Sequence, residues 1–420
     1  MKNEVKVSLF EVVMGIANTV DLISPSLVNH HKQVAYLAYC IAEELNLPKQ
    51  QRDEIVLAAA LHDIGAISLK ERIDALHFEV INPNQHALNG HALLSSYPPL
   101  GNVADIIKYH HVRWDDKRAD EVPLGSHIVH LADRIAVSIN NSEHILGQIE
   151  DIYQKIHKQK GLMFMPELVD SFADIFQKEY LWLNAASQHI EHELKTKIEA
   201  QYPPLDMDDL PEFTRIFSRI IDFRSSFTAK HSGGVAAVSE LLAAKLSFDQ
   251  PEQKMIRVAG FLHDLGKLAI PKEILEKPGK LTRAEFNIIK THTYYTYQTL
   301  SSIRGLETIN KWASFHHERP DGNGYPFHLK EAELPLGSRI LAVADVYTAL
   351  TEDRPYRQGM NRDETLKVLT GMGREKALDE MVIEQLIINY EEIAWQRISA
   401  QEGENTQYKL FTDKKELNAS

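Results

Sequence analysis

The sequence predicts an all-α protein made of two tandem helical bundles. Two observations predict this fold class. Apolar residues recur at helical spacing in both halves, and both halves carry histidine and aspartate motifs in the same order at matching separations. The chain has 420 residues, which is enough for two domains of about 200 residues each. Few segments alternate with a period of two, so strands are not expected.

Six segments have apolar residues at i, i+3, i+4 and i+7, the pattern of amphipathic helices. They are residues 34–45, 235–246, 253–265, 284–300, 305–317 and 338–350. We expect functional side chains to face inward from several of these helices, as in other helical bundles.

A nearly constant register indicates that the two halves arose by internal duplication. An offset of 201 residues pairs three histidines of each half: His30 with His231, His62 with His263, and His91 with His292. The offset rises to 206 between the His-His pairs (His110-His111 and His316-His317) and to 212 between Asp133 and Asp345. This register predicts two longer loops in the second half, one before and one after the His-His pair.

The domain boundary is predicted in residues 199–213, a segment rich in proline and aspartate that interrupts a helical pattern. We therefore predict an N-terminal domain at 1–200 and a second domain at 212–400. The polar residues 401–420 are expected to form a loosely ordered tail.

The composition excludes several classes of protein. A net charge of −13 argues against binding to a DNA or RNA duplex, so any phosphate-bearing substrate needs a local positive site. The single cysteine, Cys40, excludes a disulfide within the chain and a thiolate zinc site. No apolar run approaches the roughly 20 residues that span a bilayer, and no signal peptide is evident, so we predict a cytoplasmic protein without membrane association.

Seven polar side chains of the second half fall at helix ends or on apolar faces. They are His231, His263, Asp264, His292, His316, His317 and Asp345. Burying them costs free energy unless each has a partner, and imidazole with carboxylate suits iron, manganese or zinc. Neighbouring residues on a helix point about 100° apart, so Asp264 is a candidate bridge between two metals about 3.5–4 Å apart, an arrangement that hydrolyses phosphate esters. Ordinary core histidines are the alternative, but that alternative must explain all seven residues and their second copy.

The segments HDLGK (263–267) and HHERPDGNGYP (316–326) resemble the signature of the HD-GYP proteins, a branch of the HD metal-dependent phosphohydrolases. The resemblance covers roughly residues 212–400, and the first half resembles a plain HD domain. It implies hydrolysis of a bacterial cyclic dinucleotide and leaves cyclic di-GMP and 3′,3′-cyclic GMP-AMP open. It also implies two divalent metals, with iron or manganese favoured.

The same resemblance assigns roles to residues of the second half. It places one metal on His231, His263, Asp264 and Asp345, and the other on Asp264, His292, His316 and His317. Asp264 and Lys267 are the implied catalytic residues, and the lysine shares the charge of the scissile phosphate. The implied substrate contacts are Lys267, Asp321, Gly322, Tyr325, Arg354 and Arg357.

Some features of the second half leave alternatives open. The segment DGNGYP (321–326) is called the GYP loop below. Its Gly322 and Gly324 permit close backbone approach to a ligand, although the loop can also be a plain turn or a surface for signalling partners. Phe227 replaces the glutamate that family members with a third metal carry, so two metals are predicted. The product is either a linear dinucleotide or mononucleotides.

The first half keeps every ligand type: His30, His62, Asp63, His91, His110, His111 and Asp133. Ala66 replaces the lysine and the GYP loop is absent. A metal-bound regulatory domain is favoured over a phosphohydrolase of other specificity and over a structural duplicate. His127 and His130 are expected to be surface or core residues.

Two other functions compete with the cyclic-dinucleotide phosphodiesterase. One is an HD hydrolase of another nucleotide, such as a dNTP or ppGpp, which the complete GYP segment disfavours. The other is a catalytically silent sensor, which Lys267 and the intact ligand set disfavour. The sequence leaves the oligomeric state open, with a homodimer as one option because duplicated helical bundles often pair.

Overall fold

The computed structural model describes residues 5–24, 27–66, 68–79, 84–198, 204–223, 230–277, 279–353 and 358–417. These residues form 21 α-helices, and β-pairing among them is limited to isolated bridges. In chain order the helices are α1 (Leu9–Asp21), α2 (His30–Glu44), α3 (Lys49–Leu61), α4 (Leu69–Ala75), α5 (Asn84–Leu94), α6 (Gly101–Lys108), α7 (Leu124–Val137), α8 (Ile149–His157), α9 (Pro166–Ile175), α10 (Glu179–Ala185), α11 (Ile190–Lys197), α12 (Leu210–Asp222), α13 (His231–Lys245), α14 (Gln250–Leu262), α15 (Lys272–Leu275), α16 (Arg283–Ser301), α17 (Glu307–Ser314), α18 (Leu336–Thr351), α19 (Arg362–Arg374), α20 (Glu380–Ile388) and α21 (Tyr390–Leu417).

The chain forms two compact units. The N-terminal unit consists of Val12–Pro203 with Lys415–Ser420, and the C-terminal unit consists of Met1–Glu11 with Pro204–Lys414. The division near residue 204 falls inside the predicted boundary segment. Residues 5–11, predicted to be in the N-terminal domain, group with the C-terminal unit. Val7 and Leu205 exchange backbone hydrogen bonds of 2.9 and 2.8 Å, and the Glu11 carboxylate accepts from the backbone N–H of Arg304 at 3.1 Å.

Each unit contains the same five-helix arrangement, which confirms the predicted all-α tandem fold. Helices α2, α3, α5, α6 and α7 of the N-terminal unit correspond to α13, α14, α16, α17 and α18 of the C-terminal unit. In both units the first helix of the set packs against the second and the fifth. The starts of α2 and α13 keep the offset of 201, and the starts of α7 and α18 keep the offset of 212.

Local sequence signals fix where the helices of the C-terminal unit begin. The side chains of Asp249 and Thr282 each accept a hydrogen bond from the backbone N–H of the glutamate three residues later. That glutamate's carboxylate accepts in turn from the backbone N–H of Asp249 or Thr282, so α14 and α16 start with capping boxes. Their apolar faces enter a core that includes Val235, Ile256 and Ile340, each fully buried.

The C-terminal segment differs from the expected loose tail. Helix α21 runs without a break through the predicted domain end at residue 400. Gln401 and Glu404 of this helix are buried, and Glu404 pairs with Arg215 and with Arg219, whose Nε lies 2.8 Å from the carboxylate. Polar composition misled the prediction here, because these polar side chains have buried partners that hold the helix in place.

Candidate metal centre

The histidines of the C-terminal unit are oriented by hydrogen bonds to their own helices. His263, His292 and His316 each donate from Nδ1 to the backbone carbonyl three residues earlier, at 2.8, 2.6 and 2.6 Å. This bond fixes the tautomer and directs each Nε2 lone pair away from the helix. All three Nε2 atoms are buried and have no hydrogen-bond partner in the described part of the chain. Unpartnered buried acceptors of this kind suit a metal ion.

Two groups of ligand atoms are assembled in the C-terminal unit. One group consists of His231, His263 and Asp264, the other of His292, His316 and His317, and in each group one ligand atom per residue lies within 4.8 Å of the others. Asp345 lies at the first group, with its Oδ1 3.0 Å from His231 Nε2. The structure thus brings together all seven residues that the sequence nominated as metal ligands.

Asp264 lies between the two groups. Its Oδ2 is 3.2 Å from His263 Nε2, and its Oδ1 is 3.4 Å from His292 Nε2. The two oxygens of one carboxylate therefore face different histidine groups, which is the geometry that a bridging ligand requires.

The electrostatics keep His292, His316 and Asp264 in metal-binding protonation states, whereas nearby carboxylates outweigh burial and raise the pKa of His231 and of His263. Burial lowers the pKa of His292 to about 3 and holds the pKa of His316 well below its usual value. Burial alone would raise the pKa of Asp264, but His263 and Lys267 hold it well below the usual range. Neutral imidazoles and an ionised carboxylate are the forms that bind divalent cations.

Lys267 lies beside the shared carboxylate, with its Nζ 2.5 Å from Asp264 Oδ2 and its side chain 24% exposed. The turn that places it, Leu265–Ala269, follows α14 directly. Glycine is required in this turn because a Cβ at Gly266 would lie 1.9 Å from the carbonyl oxygen of His292. The close packing of this turn on α16 sets the position of the lysine.

The GYP loop is closed by Glu318, which is buried and accepts hydrogen bonds from the backbone N–H groups of Phe327 at 2.6 Å and Leu329 at 3.0 Å. Gly324 is packed so tightly that a Cβ would lie 2.4 Å from the Cα of Glu318. Tyr325 reaches the histidine groups, with its ring centroid 5.0 Å from that of His317.

Two of the nominated substrate contacts, Asp321 and Gly322, lie within the GYP loop. Asp321 is engaged inside the loop, because its carboxylate accepts from Arg319 at 2.6 and 3.1 Å and from the backbone N–H of Asn323 at 2.9 Å. Gly322 adopts a φ of 78°, which favours glycine. The nominated Arg354 and Arg357 lie outside the described residues, as does Phe227.

The sequence analysis missed Glu352. This buried carboxylate accepts from His231 Nδ1 at 3.0 Å through Oε2, and from Gln401 Nε2 at 2.5 Å through Oε1. His231 is the first residue of its helix and lacks the preceding turn that supplies the carbonyl for the other histidines. The carboxylate of Glu352, just after α18, accepts the Nδ1 hydrogen bond in place of that carbonyl. No local pattern in the sequence indicates this contact.

The N-terminal unit contains a second cluster, and its composition corrects one prediction. Asp63, His86, His110 and His111 are all buried, with ligand atoms within 4.8 Å of one another. His91 does not join them, because it is 26% exposed and faces Asp105 at 3.4 Å. The structure therefore replaces the nominated His91 by His86.

The register explains this correction. A Cβ at Gly65 would lie 2.1 Å from the carbonyl oxygen of His86, just as one at Gly266 would meet His292. His86 is thus the counterpart of His292, at the offset of 206 that also relates His110 to His316. The first longer loop of the second half therefore precedes α16, the helix of His292. The sequence analysis had placed it after that helix.

The rest of the N-terminal cluster repeats the arrangement of the C-terminal unit. His30, His62 and Asp63 form a second group, so Asp63 is shared as Asp264 is. Its Oδ1 lies 3.1 Å from His86 Nε2 and its Oδ2 lies 3.4 Å from His62 Nε2. Asp133 lies at this group, 3.4 Å from His30 Nε2.

The positive charges around the N-terminal cluster differ from those of the C-terminal unit at two positions. Ala66 stands where the C-terminal unit has Lys267. In addition, the fully buried Arg134 binds Asp133 through Nη2 at 2.5 Å and Nε at 3.2 Å, where the C-terminal counterpart is Val346. His130 is also buried, with its ring 5.7 Å from that of His111, and burial lowers its pKa to about 3.

Comparison with known proteins places the chain in a family. HD-domain profiles match residues 27–138 and 215–382. Over 402 residues the chain is 31% identical to the 3′3′-cGAMP-specific phosphodiesterase 1 of Vibrio cholerae, an alignment that covers 92% of this chain and 93% of that protein. The chain belongs to the HD-GYP family. HD domains are metal-dependent, which agrees with the clustered histidines of this HD-GYP protein.

Other relatives of this HD-GYP protein match shorter regions. It is 33% identical over 258 residues to the 3′3′-cGAMP-specific phosphodiesterase 3 of V. cholerae, covering 61% of this chain and 55% of that protein. It is 38% identical over 172 residues to the cyclic di-GMP phosphodiesterase response regulator RpfG of Xanthomonas campestris, covering 40% and 45%.

A solved structure supports the fold. The crystal structure of a V. cholerae cyclic GMP-AMP specific phosphodiesterase (V-cGAP3) aligns with a TM-score of 0.65 and 23% identity, covering 92% of this chain and 98% of that one. Across the residues that the structure describes, no helix has the length and apolar character needed to cross a bilayer.

Proposed function

We propose that the C-terminal unit is a metal-dependent phosphodiesterase that opens the ring of a bacterial cyclic dinucleotide by hydrolysing one phosphodiester bond to give a linear dinucleotide. The observation that carries the proposal is the shared carboxylate of Asp264 between two histidine groups, with the ammonium of Lys267 2.5 Å away. The relative that aligns over nearly its whole length is named a 3′3′-cGAMP-specific enzyme. That name makes 3′,3′-cyclic GMP-AMP the first substrate to test, ahead of cyclic di-GMP.

The chain's own residues divide the work between them. One divalent ion, with iron or manganese favoured, would be held by His231, His263, Asp264 and Asp345, and a second by Asp264, His292, His316 and His317. When bound, the two ions supply Lewis-acid stabilisation of the phosphate. Lys267 provides a fixed positive charge next to Asp264 for the non-bridging phosphate oxygens.

Access to this centre supports a catalytic role. Lys267 is 24% exposed and the Asp345 side chain 14% exposed, while four of the five ligand histidines are buried and His317 is partly exposed. A catalytic metal site keeps a position open to substrate. For the remaining substrate contacts, Arg354, Arg357 and Gly322 stay predictions, as do a homodimer, signalling partners at the GYP loop and a cytoplasmic location.

The test is a product assay with full-length protein that is purified anaerobically and supplied with Mn²⁺ or Fe²⁺. It presents 3′,3′-cyclic GMP-AMP and cyclic di-GMP in parallel and separates linear dinucleotides from mononucleotides. We expect cleavage by the wild type and loss of at least about 10³-fold in Asp264→Ala, since both ion sites lose a shared ligand. Metal-loaded protein that cleaves neither compound would reject the proposal in favour of a sensor or another nucleotide substrate.

We further propose that the N-terminal unit binds a metal ion through Asp63, His86, His110 and His111 without hydrolysing a substrate. His110 is fully buried, and its Nε2 has no hydrogen-bond partner in the described residues. All four residues are buried, with at most 7% of any of them exposed. Structural metal sites are closed in this way, and the unit lacks the lysine that would meet a phosphate. This supports the favoured hypothesis of a metal-bound regulatory domain.

The metal content of paired variants tests this second proposal. In an Asp264→Ala background, which weakens the C-terminal sites, His86→Ala should lower the bound Mn²⁺ or Fe²⁺ per chain, and His91→Ala should leave it unchanged. Equal metal content in both variants would reject the assignment of His86.

A further inference from the structure

An exposed aromatic group lies next to the C-terminal metal centre and has no role in the function proposed so far. Phe286, in the second turn of α16, is 44% exposed although it is a phenylalanine. A single exposed aromatic residue is ordinary on a protein surface. This one is different because its neighbours lead directly to the candidate site.

The rings form a continuous path from the surface to the histidines. The centroid of Phe286 lies 6.3 Å from that of Tyr325, with the ring planes at 82°. Tyr325 in turn lies 5.0 Å from the ring of His317, a nominated metal ligand. Two ring contacts therefore connect the exposed side chain of Phe286 to the centre that would hold the phosphate.

Lys290 completes the group. Its ammonium lies 5.4 Å from the ring centroid of Phe286 and 5.7 Å from that of Tyr325. Phe286 and Lys290 are four residues apart on α16 and therefore share one face of the helix. The ammonium thus lies over both rings and supplies a hydrogen-bond donor to this aromatic surface.

We propose that Phe286, Tyr325 and Lys290 bind a purine base of the cyclic dinucleotide. The exposed ring of Phe286 offers the stacking surface, as aromatic side chains do for unpaired bases in other proteins. Tyr325 closes the side that faces the metal centre, and Lys290 donates to the base edge. This inference rests on the proposed function, because it requires the phosphate of the same molecule to lie near Asp264.

The donor at Lys290 also predicts which base is preferred. The N7 and O6 atoms of guanine are both acceptors, whereas adenine pairs its N7 acceptor with an N6 donor. An ammonium has three donors and no acceptor, so it matches the guanine edge and opposes the adenine amino group. The site therefore selects for a guanine in the substrate.

Equilibrium binding and kinetics on full-length variants test the stacking role. Phe286→Ala should weaken binding of 3′,3′-cyclic GMP-AMP and cyclic di-GMP by about 5- to 100-fold, and Phe286→Tyr should restore most of it. Ile288→Ala is the matched control, because Ile288 is 40% exposed on the same helix and points about 200° away from Phe286. Binding is measured in an Asp264→Asn background so that substrate is not consumed.

A second measurement separates failure of this inference from failure of the proposed function. Methyl p-nitrophenyl phosphate carries no purine, so its hydrolysis should fall far less in Phe286→Ala than hydrolysis of 3′,3′-cyclic GMP-AMP does, and it should be unchanged in Ile288→Ala. If cyclic dinucleotides are bound but not cleaved, the proposed function fails while the binding comparison still reports on Phe286. If Phe286→Ala and Ile288→Ala both bind like the wild type, the stacking role is wrong.

The role of Lys290 is tested by changing the base. Lys290→Met keeps the aliphatic stem and removes the donor. We expect roughly tenfold weaker binding of cyclic di-GMP, with little change for 3′,3′-cyclic di-AMP. An equal loss for both ligands would overturn the base-edge role, because it would indicate attraction to the phosphates alone.

Discussion

Removing the carboxylate of Glu352 should weaken metal binding at His231 although Glu352 is not itself a proposed ligand. Glu352 is 2% exposed and uses its two oxygens for two different donors, His231 Nδ1 at 3.0 Å and Gln401 Nε2 at 2.5 Å. The charge of the carboxylate, together with that of Asp345, outweighs burial and raises the pKa of His231 well above its usual value. The same carboxylate orients the ring and makes Nε2 a stronger metal ligand.

The contacts set the expected size of the effect. Loss of a partner that orients a metal-bound histidine typically lowers metal affinity by about 10- to 100-fold. Glu352→Ala also leaves two buried donors without an acceptor, at about 1–3 kcal/mol each. Glu352→Gln keeps the volume but turns one of the two accepting oxygens into an NH2 donor, so one of the two donors loses its acceptor. We therefore expect similar metal loss in both variants and a larger drop in stability for Glu352→Ala.

The assay is a titration of metal-depleted full-length protein with Mn²⁺, with bound metal measured by mass spectrometry and unfolding followed by circular dichroism. Glu402→Ala is the control, because Glu402 is exposed on α21 next to Gln401. Wild-type metal affinity in both Glu352 variants would refute the argument that His231 depends on this carboxylate.

Three further outcomes follow from packing and burial. Gly324→Ala should destabilise the GYP loop by about 1–3 kcal/mol, because the added Cβ would lie 2.4 Å from the Cα of Glu318. Thermal unfolding measures this loss, and Gly371→Ala is the control because an added Cβ there would meet no atom within 4 Å. Cys40 is 8% exposed, and burial raises the pKa of its thiol to about 12. Iodoacetamide should therefore label it only in denaturant, and rapid labelling of the native protein would contradict this expectation. Chelation of metal should lower the unfolding temperature reversibly, since buried histidine Nε2 atoms then lose their partner.

Much of the fold follows from local sequence signals. Helical periodicity located the helices, and capping boxes such as that of Asp249 fix their starts. The paired motifs predicted the tandem arrangement, and they nominated residues of the second half, including Asp264 and His316, that lie together in the structure. These successes share a cause: a helix places residues by spacing alone, so a motif at a helix end predicts where its side chain lies.

The errors concern contacts that spacing does not fix. His91 and His86 both lie on α5. Which of them matches His292 depends on whether the extra residues of the second half come before or after the matching helix, α16. The close approach of Gly65 to the carbonyl of His86 decided it. Likewise, Gln401 and Glu404 were taken for tail residues because their composition is polar, whereas their partners lie on other helices.

By itself the sequence determined the helical class and the duplication, and it nominated the seven residues that cluster in the C-terminal unit. Only the tertiary structure decided that Asp264 divides its oxygens between two histidine groups, and that Glu352 supports His231 from 121 residues away. The physical reason is that helix formation depends on neighbours within a few residues, whereas a hydrogen bond between buried groups depends on how distant helices pack.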